Sequence, residues 1–523
     1  MKFLKKIGKC SLVGLATLSA FSMTENVQAQ NPKEQIKNFP YKRNVIFIIM
    51  DDMRLDMAGF GGGLAKTPNM DKLASEATNF VNASTTTGLS SPSRIALFTG
   101  LYGNRTGFED NLHLWHSPLY TLPKEQTTLI EWAKDAGYNI GYMGKWHVGT
   151  ISPSDRGADM NLGSEKKSMN KKPARPSFKS LNLYYEKGKK FDEKPEYYST
   201  DKNHNFETSE PMRQVKGGIK FLDKAANDSR PFYLTIGFHT PHPPYSPPAP
   251  YSTMYDYKKI KLPVSFGEHK EGLEYQHDIL WPWMNLGHMT KEDWQKTIAY
   301  SMGDMTMLDQ ALGNLFDEVK RLGMWDNTLI VLTSDQGSML AEHGLYDKGP
   351  YAYEGLMRIP FLIKAPFVKS HIVKHQVSLI DLNQTLVQYM HLQPSIANVD
   401  SRSLIPLLQE GDSAWVNVPD YSFYRYEWYN GHWYGERAVR TSNWKYCFNP
   451  CGDDELYDLK NDPNERVNLY RDTTYASELA KLRKVLMDNL LRTKDTMVLD
   501  LMKNYIKYED FGQAKTKDYY DVK

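Results

Sequence analysis

Hydrophobic positions along this chain fall into two patterns. The runs Asn44-Val45-Ile46-Phe47-Ile48-Ile49-Met50, Phe232-Tyr233-Leu234-Thr235-Ile236-Gly237-Phe238 and Thr328-Leu329-Ile330-Val331-Leu332-Thr333 are nearly continuous in apolar side chains. Such runs mark strands buried on both faces of a parallel sheet. Between Gln295 and Lys320 the residues Ile298, Met302, Met305, Leu308, Leu312, Leu315, Phe316 and Val319 recur at helical spacing, predicting an amphipathic core helix. Thr67 to Ala74 reads as a helix start, and Ser378 to Thr385 as the start of a helix closing this part of the chain. The whole predicts an α/β layer fold. After about Asp400 the composition shifts to Tyr, Trp and turn residues. Arg437–Thr441 and Asn443–Tyr446 alternate like antiparallel strands, and Thr473 to Asn489 reads as a helix. There is no internal repeat.

Two of the buried runs end in carboxylates. Asp51-Asp52 follows the first and Ser334-Asp335-Gln336-Gly337 closes the third, and ligands of open α/β sheets gather at the carboxyl ends of strands. Adjacent carboxylates in such a place are costly unless a cation neutralises them, and hard oxygen donors suit Ca²⁺ or Mg²⁺. The second run leads into His239-Thr240-Pro241-His242-Pro243-Pro244, a turn stiffened by prolines. In Gly144-Lys145-Trp146-His147 a cation and an imidazole stand two residues apart, so on extended backbone they would point the same way.

The stretch Ser90-Ser91-Pro92-Ser93-Arg94 leaves a loop rich in Thr, Gly and Ser and enters an apolar segment ending at Gly100. Pro92 suits the first turn of a helix and Gly100 its far end. Ser90 is thereby expected just before a helix N-terminus, where N–H groups and the helix dipole favour negative charge. Arg94, about one turn on, is expected to set a fixed cation beside it.

This segment resembles the signature of the type I sulfatases: Cys or Ser, any residue, Pro, Ser, Arg, then Leu or Ile and Thr-Gly. Further stretches resemble the same family, from Asp51-Asp52 and Gly144-Lys145-Trp146-His147 to His242, Asp335 and Lys348-Gly349-Pro350 ahead of Tyr353-Glu354-Gly355. The resemblance implies an alkaline-phosphatase-like sandwich, with a large, mostly parallel sheet flanked by helices. It adds a smaller C-terminal subdomain with an antiparallel sheet and a helix. The implied division is a signal peptide over 1–29, a catalytic domain over 30–400 and the subdomain over 401–523. Ser90 would be oxidised to formylglycine, whose hydrate is the nucleophile. Asp51, Asp52, Asp335, Gln336 and the modified Ser90 would hold one Ca²⁺; the family more often has Asn or His where this chain has Gln336. Lys145, Lys348 and Arg94 would stabilise charge, and His242 or Lys348 would assist the departing alcohol. His147 would take the proton whose loss expels sulfate.

His239 reads as a structural or substrate-rim residue. His343 is open between a structural role and contact with the site or substrate. Trp115, in Asn111–His116, and the aromatic stretch Asp278–Trp283 could line a sugar subsite or simply pack. The expected substrate is a sulfated glycan: glycosaminoglycan, mucin glycan or algal polysaccharide. Two rivals stand beside it, a phosphate or phosphonate ester hydrolase of the same fold and a non-catalytic sulfoglycan-binding protein whose Ser90 is never oxidised.

Composition adds the compartment. Lys2, Lys5, Lys6 and Lys9 precede a short apolar segment, Ser11 to Met23, and a small-residue site at Val27-Gln28-Ala29; this reads as an export signal too short to span a bilayer when mature. Without residues 1–29 the chain has 60 basic against 61 acidic residues, a net charge of −1, which points away from nucleic acid and membrane surfaces. A serine-type motif resembles those matured by anaerobic radical S-adenosylmethionine enzymes. With the export signal, this predicts the periplasm of a Gram-negative anaerobe. Residues 165–190 hold nine Lys or Arg and two Glu, either a solvated loop or a lip that draws in anionic glycan. Cys447 and Cys451 could close a local disulfide, with a metal site the weaker alternative because two cysteines do not complete one.

Overall fold

The computed structural model describes residues 43–509 except 113–118, 120, 164–196, 269–271, 274–285, 367, 396–399, 430 and 431. The leader, the basic stretch 165–190, the aromatic stretch 278–283 and Trp115 lie outside the described residues. No helix among those described is long and apolar enough to cross a membrane.

Eight strands form the main sheet: β1 (Asn44–Met50), β2 (Thr78–Phe80), β3 (Asn139–Gly144), β4 (Met160–Leu162), β5 (Phe232–Gly237), β6 (Thr328–Ser334), β7 (Phe361–Lys364) and β8 (His371–Val373). Their order is β8-β2-β7-β6-β1-β5-β3-β4, and only β7 runs against its neighbours. The three apolar runs lie side by side at its centre, β5-β1-β6, with Ile49 opposite Gly237 and Met50 opposite Ser334. Their carboxyl ends therefore come to one edge.

Alternate residues of a strand point to opposite faces, and the core divides accordingly. Val45, Phe47 and Ile49 pack with Ile95, Phe98 and Trp132 on one face. Ile46, Ile48 and Met50 pack on the other with Leu308, Leu312 and Leu315. Those leucines belong to the helix Lys291–Arg321, whose Thr290 forms a capping box with Asp293. Ser90–Thr99 is a helix closed by Gly100 at φ 74°, a left-handed position that suits glycine. It begins at Ser90 itself, one residue earlier than expected, with Pro92 still in the first turn.

A second, antiparallel sheet of β9 (Tyr421–Tyr429), β10 (His432–Thr441), β11 (Trp444–Phe448) and β12 (Glu455–Asp458) follows in chain order. One face packs Ala438, Cys447 and Tyr457 against Leu89, Met339 and Tyr353. The other packs Val439, Tyr446 and Leu456 against Leu482, Leu486 and Leu490 of the helix Ala476–Arg492. The described residues between 43 and 509 form one compact unit. Cys447 and Cys451 are free thiols, so the local bridge is not made. Cys447 sits inside β11 facing Ala438 of β10 and Glu455 of β12, and the Cys451 thiol meets the Trp433 carbonyl instead.

Candidate active site

The strand ends deliver three buried carboxylates. Asp51, Asp52 and Asp335 have no solvent exposure, and oxygen atoms of all three lie within 4.8 Å of one another. Ser90 reaches them from its helix. Its Oγ donates to Asp51 Oδ1 at 2.9 Å and accepts from Gln336 Nε2 at 2.9 Å. Gln336 Nε2 also donates to Asp52, while its Oε1 is buried without a hydrogen-bond partner.

Cations ring the carboxylates. Lys145 pairs with Asp51. Lys348 Nζ donates to both oxygens of Asp52 at 2.9 and 2.7 Å. Arg94 is fully buried, and its Nε donates to Asp335 Oδ2 at 2.7 Å while the rest of its fork reaches the carbonyls of Lys145 and Met50. Its hydrogen bonds go to Asp335 and these carbonyls, whereas Ser90 Oγ bonds Asp51 and Gln336. Ser93 Oγ and Thr85 Oγ1 both donate to the Asp335 carbonyl, at 2.6 and 2.5 Å, which pins the end of β6 to the Ser90 helix.

Burial raises the cost of ionising Asp51, but Lys145, His242 and Lys348 outweigh it and hold that carboxyl well below the usual range. Asp335 goes the other way. Burial and the neighbouring Asp51 charge push it up to about 7 in spite of Arg94. Three carboxylates this close resist full ionisation unless a further cation joins them.

His242 is fixed at both nitrogens. Its Nδ1–H donates to the Pro243 carbonyl at 2.5 Å, which leaves Nε2 as acceptor for the Lys348 ammonium at 3.0 Å. Burial and the Lys348 charge lower His242 to about 4, so it is neutral at neutral pH. Lys348 is buried, yet Asp347 and Asp52 hold its pKa well above the usual value. The proton carrier of this pair is therefore the lysine.

Asp347 was not foreseen. It stands one residue before Lys348 at φ 60°, its Oδ1 3.5 Å from Lys348 Nζ, and its carboxyl joins Asp52 and His242 in one cluster. An Asp-Lys pair carries no distinguishing spacing, so the sequence offered no signal for it. His147 is buried beyond the end of β3, at φ 55°. Side-chain alternation ends there, because β3 stops at Gly144 and the turn is no longer extended, so the extended backbone on which the same-side pairing of Lys145 and His147 was expected is absent. Asp52, at φ 63°, is a third site residue in the left-handed region, a conformation that costs on the order of 1–3 kcal/mol and persists where packing enforces it.

His239 reaches solvent, with its ring 4.7 Å from that of His242. His343 lies apart from the carboxylates: it stacks on Tyr353 at 4.2 Å and lines a polar cavity with Arg54, Glu342 and Arg358.

The donor set fits a divalent cation. Asp51, Asp52, Asp335 and Gln336 offer oxygen ligands, which suits a hard ion, and the orphaned Gln336 Oε1 lies on an amide already bonded to Asp52 and Ser90.

Comparison with known proteins gives concordant results. Residues 43–392 match the family model described as "Sulfatase", and residues 341–492 match that of the "N-sulphoglucosamine sulphohydrolase, C-terminal" region. An N-acetylglucosamine-6-O-sulfatase of Bacteroides thetaiotaomicron is 26% identical over 92% of this chain and 91% of its own. An ulvan-active sulfatase of Formosa agariphila is 28% identical over 86% of this chain and 82% of its own. Among solved structures, a phosphonate monoester hydrolase of Agrobacterium radiobacter shares the fold, with a TM-score of 0.70 at 21% identity, covering 86% of this chain and 96% of that one.

Proposed function

The chain belongs to the sulfatase family, and we propose that it removes sulfate from a sulfated carbohydrate outside the cytoplasm, using Ser90 oxidised to formylglycine and one Ca²⁺. The observation that carries this reading is the seat of Ser90. Its Oγ is bonded into the carboxylate cluster, and Asp51 and Asp52, the two carboxylates ahead of it, each hold a lysine. The relatives that act on N-acetylglucosamine 6-sulfate and ulvan support a sugar substrate. The serine at position 90 supports maturation by a radical S-adenosylmethionine enzyme, and the leader supports export to the periplasm.

Asp51, Asp52, Asp335 and the Gln336 carbonyl would hold Ca²⁺, with the modified residue 90 as a further ligand. Bound there, the ion and the aldehyde hydrate supply charge neutralisation and an ionisable nucleophile. The chain's own groups do the rest. Asp51 orients the oxygen on residue 90, and Arg94 fixes Asp335 so that the cluster keeps its shape. Lys145 and Lys348 place two cations where sulfate oxygens gather negative charge. Lys348, with His242 Nε2 as its partner, gives a proton to the departing sugar oxygen. His147 takes the proton whose removal releases sulfate.

The test is sulfate release from a panel of sulfated mono- and disaccharides, using protein co-expressed with an anaerobic sulfatase-maturing enzyme. Release from at least one sugar, lost in Ser90→Ala and inhibited by free sulfate more than by phosphate, is expected. Hydrolysis of phosphonate esters with no sulfate release from any sugar would overturn the reading in favour of the phosphonate-hydrolase alternative.

A further inference from the structure

The face of the C-terminal sheet that packs on the main body carries an unusual set of buried groups. Glu436 on β10, Cys447 on β11 and Glu455 on β12 are each at most 2% exposed. One ligand atom from each, the thiol sulfur and two carboxylate oxygens, lies within 4.8 Å of the others. The register explains the convergence. Cys447 faces Ala438 across one strand gap and Glu455 across the other, and Glu436 stands two residues before Ala438 on the same side of β10.

The cations of this layer are engaged elsewhere. Arg440 holds Glu354 by two bonds of 2.8 and 2.9 Å, and Lys445 pairs with Glu465 and Glu354. Arg437 pairs with Glu427 and Asp495. Glu455 receives Asn449 Nδ2 at 2.9 Å and the Tyr457 hydroxyl at 2.5 Å. Glu436 has both carboxylate oxygens buried without a hydrogen-bond partner; the Ala352 N–H stands near it without reaching hydrogen-bond geometry. A fully buried carboxyl whose two oxygens have no hydrogen-bond partner is costly in a protein interior, and the Lys445 and Arg437 charges that favour its ionisation are already held by other carboxylates. This one is aimed at a thiol and a second carboxylate.

We propose that Glu436, Cys447 and Glu455 form a second metal site, separate from the strand-end carboxylates, for one borderline divalent ion of the Zn²⁺ class. The mixed donor set selects the ion: a thiolate disfavours Ca²⁺ and Mg²⁺, whereas sulfur with carboxylate oxygen suits zinc. Three protein donors leave a fourth position for water, as in other three-ligand zinc sites. Uptake exchanges the protons of the Cys447 thiol and the Glu436 carboxyl for the ion, since ligands bind deprotonated. The ion clips three strands of the sheet that supports the approach to Ser90: the Tyr424 hydroxyl on β9 accepts from Gly88 N–H at 3.1 Å, and Arg425 N–H donates to the Thr86 carbonyl at 3.0 Å.

The probe is Co²⁺, supplied during expression in zinc-depleted medium so that the buried site fills as the mature chain folds. A thiolate ligand gives cobalt a sulfur-to-metal charge-transfer absorption in the near ultraviolet, which the oxygen ligands at Asp51, Asp52 and Asp335 cannot produce. The expected result is this absorption in the wild-type chain, its retention in Asp335→Asn and Cys451→Ser, and its loss in Cys447→Ser. Protein grown without cobalt should carry zinc that Glu436→Gln reduces. Absence of the absorption in the wild-type chain overturns the proposal, as does its survival in Cys447→Ser. Wild-type protein that holds no zinc and shows a protonated-carboxyl infrared band assigned to Glu436 overturns it as well, because the cluster then holds a proton in the ion's place.

Discussion

His242 shows how a side chain's role is set by its two neighbours. Its Nδ1–H is bonded to the Pro243 carbonyl and its Nε2 faces an ammonium, so it works as a neutral acceptor and Lys348 carries the proton. Because its pKa is depressed to about 4, the neutral form persists well below the ordinary histidine value. The acid limb of kcat/KM assigned to His242 should therefore fall as the pH drops through about 4; a limb that titrates at about 6.5 and disappears in His242→Asn would contradict this. Lys348→Ala should lower kcat by about 10²–10⁴-fold, the usual range for loss of a positioned acid, with a smaller loss on substrates whose leaving group is acidic. An equal loss on both classes would mean that Lys348 acts on sulfate charge alone. The positions of Asp51 and Asp335 were legible in the sequence because they stand at the ends of buried apolar runs, and Ser90 because a loop enters a helix there in a segment that resembles the sulfatase signature. Asp347 was not, since its proximity to Asp52 and His242 exists only after the short pair Met339–Leu340 and Tyr346–Asp347 folds.

At the level of elements, the buried strands β1, β5 and β6 and the helix Lys291–Arg321 were readable within a few residues, because an apolar run or a helical stripe is itself the cause of the element. The strand β9 was not foreseen. Its sequence Tyr-Ser-Phe-Tyr-Arg-Tyr-Glu-Trp-Tyr keeps its charges by pairing them at depth, Arg425 with Glu109 and Asp495, and Glu427 with Arg437. Such pairing depends on partners far along the chain. The same holds for Glu354, which anchors the Tyr353–Arg358 segment to β10 through Arg440. Burial opposes its ionisation, but Arg440 and Lys445 hold its carboxyl far below the usual range. The stability it contributes is therefore present above about pH 4.3, the unfolded value, and is withdrawn as the pH falls below it. Glu354→Gln should destabilise the protein by about 3–5 kcal/mol at neutral pH, because it leaves the buried Arg440 without its carboxylate, Lys445 keeping Glu465. Denaturant unfolding would measure this, and a loss under about 1 kcal/mol, typical of exposed pairs, would show the network to be dispensable.

Across the whole molecule, the main sheet brings the proposed catalytic groups to one edge, and the C-terminal sheet covers a face that includes Leu89, Met339 and Tyr353. Residues 401–523 are proposed as a subdomain in sequence only, one that completes the fold; a chain ended at Asp400 would expose that face. We expect such a truncation to be insoluble, and a soluble, cooperatively melting 30–400 fragment would show the boundary to be a true domain limit. Ca²⁺ should also act on the whole fold. At a hundred times its Kd it should add about 2.7 kcal/mol to unfolding, read as a rise in Tm that Asp51→Asn and Asp335→Asn abolish. A rise that survives both substitutions would place the ion elsewhere.

Whether Ser90 is the precursor of the nucleophile is read from peptide mass spectrometry across residue 90. The sample is protein co-expressed with an anaerobic radical S-adenosylmethionine maturing enzyme. The expected peptide is lighter by one H₂ than the encoded serine, reactive toward a hydrazide, and found in the same fractions that release sulfate. An intact serine in fractions that release sulfate would contradict that role of Ser90, as would an intact serine in protein fully exposed to the maturing enzyme, which would favour a sulfoglycan-binding protein.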